Sequence, residues 1–194
     1  MIAVIKYNAG NIRSVAFALE RLHVDFSITD NPEEIQKADK VIFPGVGEAN
    51  TTMRYLKDRK LDVLIKELKQ PVLGICLGMQ LLCSYSEEND TPCIGVFDEQ
   101  VKKFQPLQHE KVPHMGWNSL TPTHSWLDSD VANKFVYFVH SYFVPVNAYT
   151  SAITEYIQPF SAAMKKDNFY AVQFHPEKSA TVGEKIIRSF LKQS

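Results

Sequence analysis

Pro71-Val72-Leu73-Gly74-Ile75-Cys76-Leu77-Gly78-Met79-Gln80 decides how the rest of the chain is read. A proline opens a short apolar run that reads as a buried strand, and the next helix is expected to begin near Cys76. The spacing Gly74-x-Cys76-x-Gly78 matches the nucleophile elbow G-x-S-x-G, with cysteine in place of serine. A sharp strand-to-helix turn lifts its central residue into the open, and small flanking residues let the backbone turn tightly. Two consequences are expected. The helix N-terminus beneath the sulfur favours thiolate, and the Leu77 N–H, free of helical bonding, can point at an oxyanion.

Upstream of that stretch, strand and helix signals alternate. Ile2 to Lys6 reads as a buried strand, followed by a helix capped by Asn11 with Val15, Ala16, Leu19 and Leu22 on one side. Val24 to Ile28 is a second strand. Asn31-Pro32-Glu33-Glu34 opens a short helix, with proline at its first position. Val41-Ile42-Phe43 is a third strand, cut by Pro44-Gly45-Val46-Gly47, and helical pattern then runs in two pieces to about Lys69. Short apolar strands separated by helices imply a parallel sheet covered on both faces.

Downstream the character changes. Short strands are expected at Gly95-Val96, Val101–Phe104, Trp117–Leu120, Phe135–Val139, Ser151–Tyr156, Ala162–Lys165 and Tyr170–Gln173, before a last helix over Thr181–Leu191. The fold expected is α/β: an open, mostly parallel central sheet flanked by helices, with an antiparallel or mixed extension in the second half. Residues 1–194 are read as one domain. Ligands are expected at the carboxyl ends of the parallel strands.

The bulk numbers narrow the function classes. With 194 residues and 45% hydrophobic content the chain can bury a core, and a formal net charge of -1 gives no reason to expect nucleic acid or an anionic membrane. Met1-Ile2-Ala3-Val4-Ile5 lacks a basic leader region, and no later apolar run could span a bilayer. The three cysteines, Cys76, Cys83 and Cys93, form no C-x-x-C pair, which argues against a disulfide framework or a structural zinc. The chain reads as cytoplasmic, with reduced thiols and no cofactor or metal site.

A cysteine nucleophile needs a base and then an acid for the leaving amine, and histidine serves both because it titrates near neutrality. Val172-Gln173-Phe174-His175-Pro176-Glu177 places a histidine at the end of an apolar strand with a carboxylate two positions on. Glu177 would hold the ring tautomer and stabilise imidazolium. His23, His109, His114 and His124 lie in polar or proline-rich surroundings and read as surface histidines. Cys83 and Cys93 lack an elbow and read as structural.

Gly74-Ile75-Cys76-Leu77-Gly78-Met79-Gln80 with His175-Pro176-Glu177 resembles the class I, or triad, glutamine amidotransferases, and the similarity spans essentially the whole chain. The resemblance implies that Cys76, His175 and Glu177 form the catalytic triad, that a glutamyl thioester forms at the cysteine, and that ammonia is released. It places Gly45 and Val46 on an oxyanion strand whose peptide must turn an N–H toward the sulfur, completing a hole with Leu77. Gly47, Gln80, His140, Ser141 and Tyr142 would line the glutamine pocket. Taken alone, His140 beside an apolar strand also fits a hydrogen-bonded core histidine.

Tyr7-Asn8-Ala9-Gly10-Asn11, Pro44-Gly45-Val46-Gly47, Pro113 to Asn118, Tyr137 to Tyr142 and His175 to Ser179 are similar to one branch of that family, the glutaminase subunits of imidazole glycerol phosphate synthase. Ammonia is mostly protonated in neutral water, so a useful source delivers it by a dry route to an attached synthase. In this branch the partner is a (βα)₈ cyclase subunit, joined as a heterodimer, whose products are imidazole glycerol phosphate and the purine precursor AICAR. Asn8, Asn11, Trp117, Asn118 and Tyr137 are the expected partner interface. Three other readings stay open: a glutaminase serving anthranilate, GMP or pyridoxal phosphate synthesis, a Cys-His hydrolase of peptides or esters, and a non-catalytic binding domain on the same fold.

Overall fold

The computed structural model of the chain describes residues 1–7, 12–122 and 126–194. Its first half runs β1 (Ile2–Ile5), α1 (Ile12–Arg21), β2 (Phe26–Thr29), α2 (Pro32–Lys37), β3 (Lys40–Phe43), α3 (Ala49–Asp58), α4 (Leu61–Glu67), β4 (Val72–Ile75) and α5 (Leu77–Leu82). The second half contributes β5 (Tyr85–Ser86), β6 (Thr91–Pro92), β7 (Gln100–Lys103), β8 (His114–Ser119), β9 (Thr121–Pro122), β10 (Phe135–His140), β11 (Tyr142–Phe143), β12 (Thr150–Glu155), β13 (Pro159–Lys166), β14 (Phe169–Val172) and α6 (Ala180–Leu191).

Side-chain alternation explains the layering. In β1, Ile2 and Val4 face one core and Ala3 and Ile5 the other. The first core takes Val15 and Leu19 from α1 and Ile186, Ile187 and Phe190 from α6. The second takes Ile35 from α2, Met53 and Leu56 from α3, and Leu61, Leu64 and Ile65 from α4. Strands buried on both faces have no polar side to show, which is why β1 and β4 read as continuous apolar runs.

Among the described residues the large sheet has the order β2-β1-β3-β4-β14-β13-β12-β9. β1, β2, β3, β4 and β14 are parallel, whereas β13, β12 and β9 continue it antiparallel. The α/β architecture expected from the sequence, parallel first and antiparallel later, is the one observed. Register brings Phe43 beside Gly74 and Ile75 beside Val172, so β3, β4 and β14 end level with one another. Chain segments leaving those three ends must share one small region. β8 and β10 pair separately as a two-stranded antiparallel ribbon.

One strand expectation fails. Gly95-Val96 is not a strand: Gly95 takes a φ of 74°, and the N–H groups of Gly95 and Val96 donate to the Cys83 and Leu82 carbonyls at 2.7 and 2.8 Å. The segment satisfies carbonyls at the end of α5 and so cannot also pair in a ladder.

Candidate active site

Cys76 occupies the turn between β4 and α5 with φ 53° and ψ −108°. A non-glycine residue held there costs about 1–3 kcal/mol, and its neighbours enforce it. The Cys76 N–H donates to the Val172 carbonyl at 2.8 Å, while the Gln80 N–H closes the turn by donating back to the Cys76 carbonyl at 3.2 Å. Gly78 lies so close to the end of β3 that a Cβ would stand 2.0 Å from the Phe43 carbonyl oxygen. The small residue expected on steric grounds is therefore demanded by contact with the neighbouring strand.

β14 delivers the histidine. His175 and Glu177 are both buried, and Nδ1 of the ring bonds to Oε1 of Glu177 at 2.8 Å. The loop is fastened to β10: the His175 N–H donates to the Tyr137 carbonyl at 2.9 Å, and Ser179 Oγ donates to the His175 carbonyl while accepting from Tyr137 N–H. With Nδ1 engaged by Glu177, Nε2 is the ring nitrogen left for the Cys76 sulfur, and it has no hydrogen-bond partner among the described residues. Burial opposes a charged ring, but the Cys76 sulfur, and after it Glu177, outweigh that and push His175 up to about 10. An imidazolium is thus favoured beside the sulfur. Burial drives Cys83 well above the ordinary thiol value and Cys93 up to about 12, which leaves both as protonated thiols.

Pro44 and Gly45 leave β3 directly alongside the elbow. The Leu77 N–H, expected to serve an oxyanion, donates to the Gly45 carbonyl at 3.4 Å. A carbonyl thus stands where a second donor would be needed. Gly45 is packed tightly, since a Cβ there would lie 2.6 Å from the Leu77 Cβ and 2.8 Å from the Tyr7 hydroxyl. Tyr7, buried at the end of β1, donates its hydroxyl to the Pro44 carbonyl, and burial together with the Cys76 sulfur raises that hydroxyl far above its ordinary pKa.

Beside the sulfur opens a cavity of about 330 Å³, lined by Val46, Gly47, Cys76, Leu77, Gln80, Glu88, Pro113, Val139, His140, Ser141 and Tyr142. The sequence-derived pocket residues Gly47, Gln80, His140, Ser141 and Tyr142 all lie on its wall. Gln80, although in the first turn of α5, is buried and donates to the Tyr142 carbonyl and to Gln173 Oε1, both at 3.0 Å. His140 bonds through Nδ1 to the Tyr142 carbonyl at 2.7 Å and through Nε2 to His114 Nδ1 at 3.0 Å. A carbonyl only accepts, so His140 carries its proton on Nδ1 and receives one from His114. Burial holds both rings neutral, near 3 for His140 and near 4 for His114.

That arrangement corrects the surface reading of His114. β8 starts at His114 rather than Trp117, and alternation turns His114 inward between Phe138 and Tyr156 while Met115 and Trp117 face out. His23 and His109 are exposed as expected, and His124 lies outside the described residues. Of the interface candidates, Trp117 is 52% exposed and meets Tyr137 edge-to-face across the ribbon. Asn118 is half-buried and donates to the Glu155 carbonyl. Asn8 and Asn11 lie outside the described residues.

Three residues escaped the sequence reading. Glu88 is the acid on the cavity wall; burial keeps its carboxyl above the usual range despite the Ala49 N–H bonded to it. An anionic side chain there suits an amino-acid ammonium group. Tyr7 enters the sequence reading only within the branch motif Tyr7–Asn11 and Gln173 only within the apolar strand before His175, and nothing local marks either as turned toward a sulfur.

A strained cysteine at a strand end, a buried histidine–carboxylate pair and a pocket beside the sulfur define a class of amide-hydrolysing α/β proteins, and the chain belongs to the class-I glutamine amidotransferase family, whose model matches residues 3–194. It is 61% identical over 197 residues to imidazole glycerol phosphate synthase subunit HisH of Bacteroides fragilis, covering 98% of each chain. The protein of the same name from Bacteroides thetaiotaomicron is 61% identical with the same coverage. Among solved structures, a glutamine amidotransferase superposes with a TM-score of 0.77 at 17% identity, covering 99% of this chain and 98% of that one. PurLQS from Thermotoga maritima gives 0.69 at 14% identity, over 98% of this chain and 96% of that one. Both likenesses concern the fold.

Proposed function

We propose that this chain, acting as one glutaminase domain over residues 1–194, is the glutamine-hydrolysing subunit of a cytoplasmic imidazole glycerol phosphate synthase in histidine biosynthesis. Cys76 attacks the glutamine side-chain amide, His175 hands its proton to the departing ammonia, and a glutamyl thioester remains. Water then attacks that thioester with His175 as base, giving glutamate and releasing the sulfur as thiolate beside the protonated ring. Glu177 keeps the ring oriented. The observation that carries this reading is the buried 2.8 Å bond between His175 and Glu177 on a ring whose basicity the Cys76 sulfur raises. The near-complete coverage of relatives named as HisH subunits supports the particular pathway.

The ammonia would pass to a (βα)₈ cyclase subunit in a heterodimer. An exposed apolar cluster of Met115, Trp117 and Phe135 on the outer face of the β8–β10 ribbon supports a docking surface next to the site. Asn118 and Tyr137 adjoin it, and Asn8 and Asn11 remain candidates by sequence. The Gly45 carbonyl on Leu77 supports a gated enzyme, in which the Gly45–Val46 peptide must turn over before Val46 and Leu77 can both donate to an oxyanion. No helix of the described residues is long and apolar enough to cross a membrane.

The test compares synthesis by the reconstituted pair. Cys76→Ser should abolish glutamine-dependent product formation yet leave formation from added ammonia intact. Full glutamine-dependent synthesis in that variant would remove the nucleophile. In the same assay the chain without its cyclase should turn glutamine over slowly, and fast turnover alone would discard the gate.

A further inference from the structure

The amide of Gln173 is fully buried at the end of β14, where its backbone N–H is fixed to the Ala162 carbonyl at 2.9 Å. Its side chain bridges two site residues. Gln80 Nε2 reaches Gln173 Oε1 at 3.0 Å, and Gln173 Nε2 stands 3.7 Å from Cys76 Sγ. Which end of each amide is nitrogen follows from the far end of the chain of bonds. The Tyr142 carbonyl can only accept, and Gln80 must therefore present nitrogen to it at 3.0 Å. The second hydrogen of that NH₂ group then meets Gln173, which must answer with oxygen and turn its own NH₂ toward the sulfur.

We infer that Gln173 is a positioning residue for the nucleophile: its carboxamide, locked by Gln80 and the Tyr142 carbonyl, donates an N–H to the Cys76 sulfur and favours the anion. The inference rests on Cys76 being the nucleophile. The need for such a donor is visible in the Val139 carbonyl, which lies 3.9 Å from the sulfur. That oxygen accepts from a thiol but repels a thiolate. Gln173 offsets the repulsion with a neutral donor that, unlike His175, keeps its proton throughout the cycle. It serves twice, once before attack and again when thioester hydrolysis returns the sulfur as an anion.

The experiment is the rate of Cys76 alkylation by iodoacetamide across pH, on the full chain without glutamine, with Cys76→Ser supplying the background from Cys83 and Cys93. Gln173→Met and Gln173→Leu both remove the donor without adding a charge that would itself repel the thiolate. Each is expected to move the alkylation midpoint up by about half a pH unit or more, and Gln173→Met to lower kcat about tenfold with KM changed far less. A buried amide that merely fills space would leave the midpoint alone. Folded variants that trace the wild-type profile overturn the inference, and if Gln173→Met does not fold, Gln173→Leu decides. Unchanged profiles beside an inactive Cys76→Ser would remove only Gln173; a glutamine-active Cys76→Ser would remove the nucleophile itself.

Discussion

At the scale of single residues, His175 is held between opposing influences. Desolvation works against the charged ring, and the nearby Cys76 sulfur and the Glu177 carboxylate work for it, with the net result about 10. The folded value lies above the ordinary 6.5, so charging this ring stabilises the fold fully below about 6.5 and the benefit is lost as pH rises through the folded value. Removing the sulfur removes the largest of the raising influences. Cys76→Ser should therefore lower the His175 titration midpoint by more than one pH unit, as read by nitrogen NMR of the ring. A midpoint unmoved by the substitution would separate the imidazole from the sulfur electrostatically. The elbow and the His-x-Glu pair were legible in sequence because each is local. Gln173 and Tyr7 were not, since their meaning lies in contacts to Cys76, Gln80 and Pro44, between 37 and 97 positions away.

At the scale of elements, the parallel strands could be read because burial on both faces leaves them uniformly apolar. β5, β6, β9 and β11 have two residues each, too few for any period to show. His114 was misplaced for a related reason: Pro113 hid the start of β8, and with it the inward phase of the strand. Packing between elements makes a sharp prediction at Gly78. An alanine methyl would overlap the Phe43 carbonyl, forcing α5 away from β3. Gly78→Ala should cost about 3 kcal/mol or more in urea unfolding and lower Cys76 reactivity with it. A loss under about 1 kcal/mol would mean the elbow has slack that the close contact denies.

At the scale of the whole molecule, function concentrates where β3, β4 and β14 end together, the crevice that open α/β sheets offer to ligands. Beyond it the β8–β10 ribbon exposes Met115, Trp117 and Phe135, large apolar side chains that water covers poorly. Under the proposed function Trp117→Ala should weaken cyclase binding by about 2 kcal/mol, roughly thirtyfold in Kd. Isothermal titration gives that number, and circular dichroism should find the fold unchanged because the ring is half in solvent. Undiminished affinity would move the interface off this face.

The ribbon also has a mechanical meaning. Tyr137 carries the His175 backbone on its carbonyl, and two residues along, the Val139 carbonyl touches the sulfur. Among the described residues β10 is paired laterally with β8 and not with the large sheet, so it behaves as a short beam with one reactive group hung from each of two neighbouring rungs. Force applied to the rings on its outer side reaches both groups through the main chain, without any object entering the pocket. A tilt of a few degrees would change their spacing, and a binding event could tune the chemistry by leverage alone.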